Sequence, residues 1–450
     1  MVRITGFDNE KRNRVQFFFC CFFIFALSLT IRAFYFMGLK EIRLYPDSKE
    51  YVEAAYKLSY LAIDAARVPV YPGFIQVARH LLFWLPQELA VCIAQMTLSS
   101  VGMILLLYLS RMLFQSYIKA LLVTIFSALS IFVMNWDFLI LTESLTIFLI
   151  ILLVLLWVQF IEKPIRKYSI GIYFVCLALL FTKPFYIVLP VALFTGLLFF
   201  QRHSGQAKRD LVVHAVAIGA IFLLVLSHSL ANYSQNGYGG ISSVGGVNKM
   251  GKILQYNLQE LSSDEKIKAL VREEKGKKGT GEIEPVAFMQ EHGLDKEYYK
   301  AAAEFSSEII QRHPILYVRK TFEFMGSEKF LRSAIFADYN YNNYEVSWPE
   351  NLKNFLNNRL RINSFKFLFI LLFIECLHTL FCMMKRKKDG WNWAGIDVLI
   401  LYQVFMSIGG SHGEYHRLIA PVYIFIFLIM FRTVFTVLDW AIGFLPAKEG

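Results

Sequence analysis

The chain has 450 residues, of which 56% are hydrophobic and 16% aromatic, and its formal net charge is +11. So much apolar sequence exceeds what a soluble domain hides in its core, and several apolar runs reach the roughly 18 residues that cross a bilayer as a helix. The positive charge does not indicate nucleic acid, because the basic residues form short clusters between apolar runs, where the positive-inside rule places them. The six cysteines lie in or beside apolar runs without metal-ligand spacing, which is typical of small buried side chains.

The apolar runs predict an all-α integral membrane protein with about ten transmembrane helices. They fall at 15–37, 89–113, 117–135, 138–161, 168–182, 184–200, 211–231, 363–384, 393–410 and 417–438. The first run is longer than a signal-peptide core, and no small-residue cleavage site ends it, so we expect it to remain as the first helix. Lys183 and Pro184 separate two short runs and predict a tight reversal of the chain, because proline breaks a helix.

Lysine and arginine predict the orientation of these helices. With the N-terminus in the cytoplasm, short basic loops all fall on the cytoplasmic side, at 111–119, 163–167, 202–209 and 385–388. The chain then divides into an N-terminal transmembrane module (1–231) with an external loop at 39–88, an extracytoplasmic domain (232–362) and C-terminal transmembrane helices (363–450). We expect a multi-pass integral membrane protein whose two hydrophilic parts lie outside the cytoplasm.

The two hydrophilic parts carry weaker structural signals. In the first external loop, 48–61 predicts a helix with Asp47 or Ser48 near its N-cap. A second helix is predicted over 71–84, lying along the membrane interface with its aromatic side chains toward lipid. In the extracytoplasmic domain, the charged stretch 262–284 predicts a mobile loop, and 296–325 predicts a helix interrupted by a proline.

Ionisable side chains in or beside membrane helices are costly, so each is a candidate for function. On the predicted outer face they are Asp47, Asp137, Glu143, Lys183, His412, Glu414, His416 and Arg417. The cytoplasmic loops are mostly basic, and this asymmetry favours an outward-facing active site. Four of them also have a purely structural interpretation: Asp47 as a helix cap, Asp137 as a loop or cap residue, Glu143 as a carboxylate at a helix start, and Lys183 as a lysine that extends its head to the interface.

Two further patterns suggest binding. Arg67 and Tyr71 flank Pro69 in a short rigid turn, and an arginine fork suits a phosphate or a carboxylate, although a surface arginine fits the pattern equally well. His412 and His416 have the spacing of two zinc ligands on one helix face, but the sequence offers no third ligand.

In chain order, these motifs resemble the GT-C superfamily of polytopic glycosyltransferases. They are most similar to bacterial relatives of the protein O-mannosyltransferases and of the lipid A aminoarabinose transferase. The matching stretches are Tyr45-Pro46-Asp47-Ser48, Arg67 to Phe74, Leu141-Thr142-Glu143-Ser144-Leu145, Phe181-Thr182-Lys183-Pro184, His313-Pro314 with Tyr317, and Arg417 with Pro421. The ordered set, which spans nearly the whole chain, carries the resemblance more than any single motif.

The resemblance implies a sugar donor linked to polyprenyl phosphate and transfer outside the cytoplasm to a lipid, glycan or protein acceptor. It also implies a bacterial inner (plasma) membrane, with the active site on the periplasmic or extracellular side. Asp47 would be the general base or orienting group for the acceptor, Glu143 would assist it, and Lys183 and Arg417 would bind the donor phosphate. Asp47 and Glu143 are also the carboxylates that would hold a divalent metal ion if the reaction uses one. Protein O-mannosyltransferases carry an Asp-Glu pair where this chain has Asp47 and Ser48, which argues against a protein acceptor.

The chemistry agrees with these roles. Glycosyl transfer passes through an oxocarbenium-like state, a carboxylate can activate the acceptor hydroxyl, and cations can stabilise the leaving phosphate. Beside the catalytic pair Asp47 and Glu143, the candidate donor- or substrate-binding residues are Arg67, Tyr71, Lys183, His412, Glu414 and Arg417.

Three other interpretations stay open. An oligosaccharide ligase or polymerase of the envelope would also use outward-facing cations, with less dependence on an aspartate in the first loop. A transporter of lipid-linked sugars would place ionisable groups near the bilayer midplane on broken helices, whereas these candidates cluster toward one face. A structural membrane protein would use Asp47 only as a helix cap.

Overall fold

The computed structural model describes residues 5–39, 41–42, 44–204, 211–278, 283–292, 298–327, 361–385, 388–413 and 415–443. These residues are mostly helical, and no β-strand forms among them. The helices are α1 (Thr5–Met37), α2 (Pro46–Ser59), α3 (Val70–Leu81), α4 (Gln87–Phe114), α5 (Tyr117–Leu129), α6 (Ile131–Met134), α7 (Glu143–Glu162), α8 (Arg166–Leu180), α9 (Leu189–Ser204), α10 (Leu211–Asn236), α11 (Val244–Gln255), α12 (Glu265–Lys278), α13 (Pro285–Glu291), α14 (Tyr298–Arg312), α15 (Pro314–Met325), α16 (Arg361–Met384), α17 (Lys388–Gly410), α18 (Tyr415–Ile419) and α19 (Tyr423–Gly443).

Within these ranges, six helical stretches are long and apolar enough to cross a bilayer. They are Val15–Met37, Gln87–Phe114, Glu143–Glu162, Leu211–Asn236, Lys388–Gly410 and Tyr415–Trp440. The pair α5 and α6, with the turn after it, would be a seventh span and bends by 56°. Shorter apolar helices lie at Pro184–Phe200 and Ile370–Met384. The predicted membrane protein and its all-helical class are confirmed, while the count of about ten spans stays a prediction.

Helix α7 forms the centre of the bundle and packs against α4, α8 and α17. Of its most apolar 18-residue stretch, 78% is buried. Its Trp157 lies against glycines of two neighbouring helices. A Cβ atom on Gly196 of α9 would lie 3.0 Å from the indole ring, and one on Gly395 of α17 would collide with it. The indole Nε1 also donates a hydrogen bond of 3.1 Å to the carbonyl of Trp391. These contacts fix the end of α7 that lies far from Glu143.

Helices at the edge of the bundle are held less tightly. In α10, only 17% of the most apolar 18-residue stretch is buried, and the side chains of Leu223, Leu226 and Leu230 are exposed. An apolar surface of this kind suits contact with lipid tails.

The first predicted external helix is α2, with a corrected start. Proline suits the first position of a helix, and Pro46 takes it, so that Tyr45 is the N-cap residue. The backbone N–H of Tyr45 donates to Ser48 Oγ at 3.0 Å. Asp47 therefore lies inside the first turn, where its charge interacts favourably with the helix dipole, and both Asp47 and Ser48 lie near the N-cap, as predicted.

The second predicted external helix is shorter than expected. Helix α3 ends at Leu81, and the following Phe83 and Trp84 are exposed. Tyr71, in contrast, is completely buried. The expectation that the aromatic side chains of 71–84 all face outward is therefore wrong for Tyr71.

Helices α11 to α15 (244–325), which we call the insert domain, share a hydrophobic cluster of their own. Most of the stretch 262–284 is helix α12, so the predicted mobile loop is wrong for its described part. The reason is an apolar stripe: Ile267 and Val271, four residues apart, are buried together, whereas most of the charged residues of the helix are exposed. The interrupted helix predicted over 296–325 is confirmed by α14 and α15, which meet at His313; its first two residues lie outside the described ranges.

Candidate active site

Arg417, on the short helix α18, links two carboxylates from distant parts of the chain. Its Nη1 donates to Asp47 Oδ2 at 2.6 Å, and its Nε donates to Glu143 Oε1 at 2.7 Å. Lys183 Nζ donates to the same Glu143 oxygen at 2.7 Å. Four candidates from four separate stretches of sequence thus meet in one ion cluster.

A second arginine closes the cluster on the other side of Asp47. Arg67 Nη2 lies 2.7 Å from Asp47 Oδ1 and 2.7 Å from Glu50 Oε2. Glu50 was not among the predicted residues, although it lies three positions after Asp47 and therefore on the same face of α2. With Glu50, three carboxylates balance three cations in the described cluster, as charges removed from water require.

The cluster has a buried floor and an open rim. The side chain of Glu143 has 0% exposure, whereas that of Asp47 is 30% exposed. The second carboxylate oxygen of Glu143, Oε2, is buried and accepts no hydrogen bond from the described protein. A buried acceptor without a donor is unfavourable, so this oxygen would gain from any hydrogen-bond donor that reached it.

Asp47 is held in its ionised form. Burial alone raises the pKa of this carboxyl, but the positive charges of Arg417 and Arg67 outweigh burial and hold the pKa well below its usual range. The same pairing acts on the partner: burial lowers the pKa of Arg67, but the neighbouring Tyr51, Asp47 and Glu50 raise it overall. While both arginines are in contact, Asp47 is a weak base.

Local structure presents Arg67 to the cluster. Asp64 Oδ1 accepts hydrogen bonds of 2.9 Å from the backbone N–H of Arg67 and of the residue before it. The guanidinium lies 4.5 Å from the ring centroid of Tyr51, a favourable cation–π distance. Tyr51 packs edge-on against Tyr71, whose hydroxyl donates to Gln95 Oε1 at 2.7 Å. Tyr71 therefore supports the ring of Tyr51, which contacts Arg67.

Gln95 of α4 also shapes the turn that leads to Glu143. Its Nε2 donates to the backbone carbonyls of Leu139 at 2.8 Å and Asp137 at 3.1 Å. The amide is completely buried. Sequence reasoning missed Gln95, because a neutral amide inside an apolar helix has no charge to mark it.

Asp137 has a different role from the predicted loop or cap. It is fully buried and accepts a hydrogen bond of 2.7 Å from Arg32 Nε, together with the hydroxyls of Ser99 and Ser144. Ser144 directly follows Glu143, so this buried ion pair steadies the start of α7. The signal in the sequence was Arg32, the one charged residue in the apolar run 15–37, because such a charge needs a partner.

Gln403 connects the chain segments that carry Lys183 and Arg417, the two cations that donate hydrogen bonds to Glu143. Gln403 of α17 accepts a hydrogen bond of 2.9 Å from the hydroxyl of Tyr186, three residues after Lys183. Its Nε2 donates to the carbonyl of Leu418, the residue after Arg417. Lys183 and Arg417 are thus held at a fixed separation on one side of Glu143.

The two histidines of the last predicted cluster have separate neighbours. The ring of His416 stacks on Trp136, with centroids 6.3 Å apart. The ring of His412 lies so close to α11 that a Cβ atom on Gly251 would collide with it. Glu414 lies outside the described residues. Among the residues that the structure does describe, no group of three or more His, Cys, Asp or Glu side chains could hold a metal.

Asp47 and Glu143 do not fit a shared divalent cation in this arrangement. The guanidinium of Arg417 contacts both carboxylates, and Lys183 contacts Glu143 as well. A metal ion between them would have to displace the arginine and bind beside a second cation.

Comparison with known proteins places the fold. No protein-family model and no curated protein matches the chain. The structure of the oligosaccharyltransferase AglB from Archaeoglobus fulgidus, solved with an inhibitory peptide and a dolichol-phosphate, is similar at a TM-score of 0.50 and 10% sequence identity, over 97% of this chain and 53% of AglB. An apo oligosaccharyltransferase structure from the same organism gives 0.50 and 10%, over 95% and 52%. The chain spans about half the length of these neighbours, and its fold is similar to theirs, as the sequence resemblance predicts.

Proposed function

We propose that the chain is a membrane glycosyltransferase that moves a sugar from a polyprenyl-phosphate donor to a hydroxyl or similar group of an extracytoplasmic lipid, glycan or protein. The observation that carries this proposal is the ion cluster, in which Asp47 at the rim shares Arg417 with the buried Glu143. The GT-C fold supports it, and so does the dolichol-phosphate in AglB, which is a lipid phosphate of the same chemical class.

The donor phosphate would bind to Arg417 and Lys183. An arginine fork binds phosphate through two parallel hydrogen bonds, and Arg417 and Lys183 already converge on one anionic oxygen of Glu143. When the bond between the sugar and the phosphate oxygen breaks, the electron pair stays on the phosphate. The two cations stabilise that charge as it develops.

Donor binding would also activate Asp47. As Arg417 turns toward the phosphate, Asp47 loses one of its two cationic partners, so its pKa rises toward the ordinary value. The carboxylate then accepts the proton of the acceptor hydroxyl while the hydroxyl oxygen attacks the sugar. Asp47 is thus a weak base in the resting site and a stronger one once the donor is in place.

Glu143 would hold both cations ready in the resting site. Its free oxygen Oε2 would then accept a hydrogen bond from a hydroxyl of the bound sugar or acceptor. Such a contact would relieve a buried acceptor that has no donor among the described groups.

The position of the cluster along the helices separates this proposal from transport. Glu143 is the first residue of its span, and Arg417 is the third residue of the span Tyr415–Trp440. Both charges therefore lie at the ends of their helices, whereas a transporter holds its substrate near the bilayer midplane. An envelope ligase or polymerase remains the alternative, and it differs in its lower dependence on Asp47.

The test is the substitution Asp47→Asn, with Glu53→Gln as the control because Glu53 is an exposed carboxylate on the same helix. Transfer of labelled sugar is measured in membranes that contain the host's lipid-linked donors, and binding of a polyprenyl phosphate is measured on purified protein. We expect Asp47→Asn to lower turnover by about 100-fold or more and to keep phosphate binding, while the control matches the wild type. Full turnover in Asp47→Asn would favour a ligase or polymerase, and a wild type that binds no polyprenyl phosphate would exclude this donor class.

A further inference from the structure

Lys252 of the insert domain is the most completely buried lysine described outside the ion cluster, at 0% exposure. Its Nζ donates to the hydroxyl of Tyr415 at 2.6 Å and to Gln255 Oε1 at 2.7 Å. The ammonium also lies 4.3 to 4.9 Å from the ring centroids of Tyr256, Phe324 and Tyr415. A buried ammonium needs such partners, because it has lost its water.

Tyr415 makes this lysine relevant to the ion cluster. It is the first residue of α18, and Arg417 lies two residues further along the same short helix. The insert domain holds the chain before Tyr415 at two more points. The hydroxyl of Tyr317 donates to the carbonyl of Gly409 at 2.6 Å, and Gln255 Nε2 donates to the carbonyl of His412 at 3.3 Å.

The residues just before α11 hold the other arginine. Ser242 Oγ donates to the carbonyl of Ala66 at 2.5 Å, and the backbone N–H of Ser243 donates to the carbonyl of Ala65 at 2.9 Å. These two carbonyls directly precede Arg67. The short segment 242–255 therefore contacts the local chain of both arginines that flank Asp47.

We propose that Lys252 is a positioning residue: it fastens the insert domain to Tyr415 and thereby sets where Arg417 stands relative to Asp47 and Arg67. The insert domain then fixes the spacing of the two arginines, and loosening it lowers the affinity of the site for the donor phosphate. The consequence for donor binding rests on the proposed function, whereas the fastening itself does not.

The test compares Lys252→Met, which removes the ammonium, with Lys252→Arg, which keeps the positive charge. The matched control is Lys268→Met, because Lys268 is also buried in the insert domain but pairs locally with Glu265 of the same helix. Hydrogen exchange of the backbone amides at 411–417 reports the fastening. The affinity for a polyprenyl phosphate, with KM and kcat of transfer, reports the consequence.

We expect Lys252→Met to speed exchange at 411–417 and to weaken polyprenyl-phosphate binding and raise the donor KM by about tenfold, with a smaller change in kcat. Lys252→Arg should recover most of both effects, and Lys268→Met should show neither. If Lys252→Met fails to fold, Tyr415→Phe replaces it, because this variant removes only the hydroxyl that accepts the hydrogen bond.

Two results would overturn the proposal. One is unchanged exchange at 411–417 in Lys252→Met and Tyr415→Phe. The other is faster exchange in all the variants alike, which would show a general loss of domain stability. A wild type that binds no polyprenyl phosphate would remove the proposed function, and the exchange comparison would still decide whether Lys252 fastens the domain.

Discussion

Arg417 contacts one carboxylate at the rim of the site and one on its floor, and this sharing links their behaviour. A buried charge that loses its partner is strongly destabilising. If a ligand draws Arg417 away, Glu143 still has Lys183 as a partner, and Asp47 still has Arg67. The arrangement tolerates an anion at this position because each carboxylate has a second cation.

The pKa of Asp47 gives a prediction for the dependence of stability on pH. The pKa in the folded protein is lowered, so the stabilising effect of the carboxylate is complete above its unfolded pKa of about 3.9 and is lost as the pH falls through the lower folded value. The difference in unfolding temperature between wild type and Asp47→Asn should therefore stay constant from about pH 7 to about pH 5. Thermal unfolding in detergent measures it. A difference that already shrinks between these values would mean a raised pKa in the resting site.

At the scale of single elements, the sequence predicted what charge and hydropathy can mark. Asp47, Glu143, Lys183 and Arg417 stand out because an ionisable group beside an apolar run is costly. Gln95 could not be found in this way, since an uncharged amide in a helix produces no such contrast. The pairing was also unreadable, because Asp47 and Arg417 are 370 positions apart.

The role of Gln95 gives a prediction for α4. Gln95→Leu removes the side-chain amide N–H groups that donate to the carbonyls of Leu139 and Asp137, in the turn that leads to Glu143. Leaving buried acceptors without donors costs about 2 kcal/mol, and we expect both a lower unfolding temperature and a lower transfer rate. Thr97→Val is the control, because Thr97 is exposed on the same helix and bonds only within it. Equal stability of the two variants would mean that Gln95 does not support the turn.

For the whole molecule, the apolar runs predicted the long helices, and the ordered motifs predicted a fold of the GT-C type. Helix α12 escaped prediction because its composition is charged throughout, and only the neighbouring helices of the insert domain give its apolar stripe a core to join. The number of full spans also depends on how broken helices such as α5 and α6 cross the bilayer, which hydropathy alone does not determine.

The predicted orientation can be tested on whole cells. Lys49 on α2 and Lys163 after α7 are both exposed and lie on opposite predicted sides of the membrane. With the N-terminus in the cytoplasm, a membrane-impermeant maleimide should label Lys49→Cys in intact cells and Lys163→Cys only after the cells are opened. The parent protein, with its native cysteines, gives the background. The reverse pattern would place the ion cluster on the cytoplasmic side.

The unequal packing of α7 and α10 has a mechanical consequence. One end of α7 is held by the packing of Trp157 against glycines of two helices, and the other end is held by the salt bridges of Glu143. Helix α7 is therefore fixed at both ends. In α10, 17% of the most apolar 18-residue stretch is buried, against 78% in α7, so α10 packs against the bundle much less extensively. If the proposed lipid-linked donor enters the site from the bilayer, separating α10 from the bundle would cost less than moving α7. Helix α10 could then move while α7, which carries Glu143, stays in place.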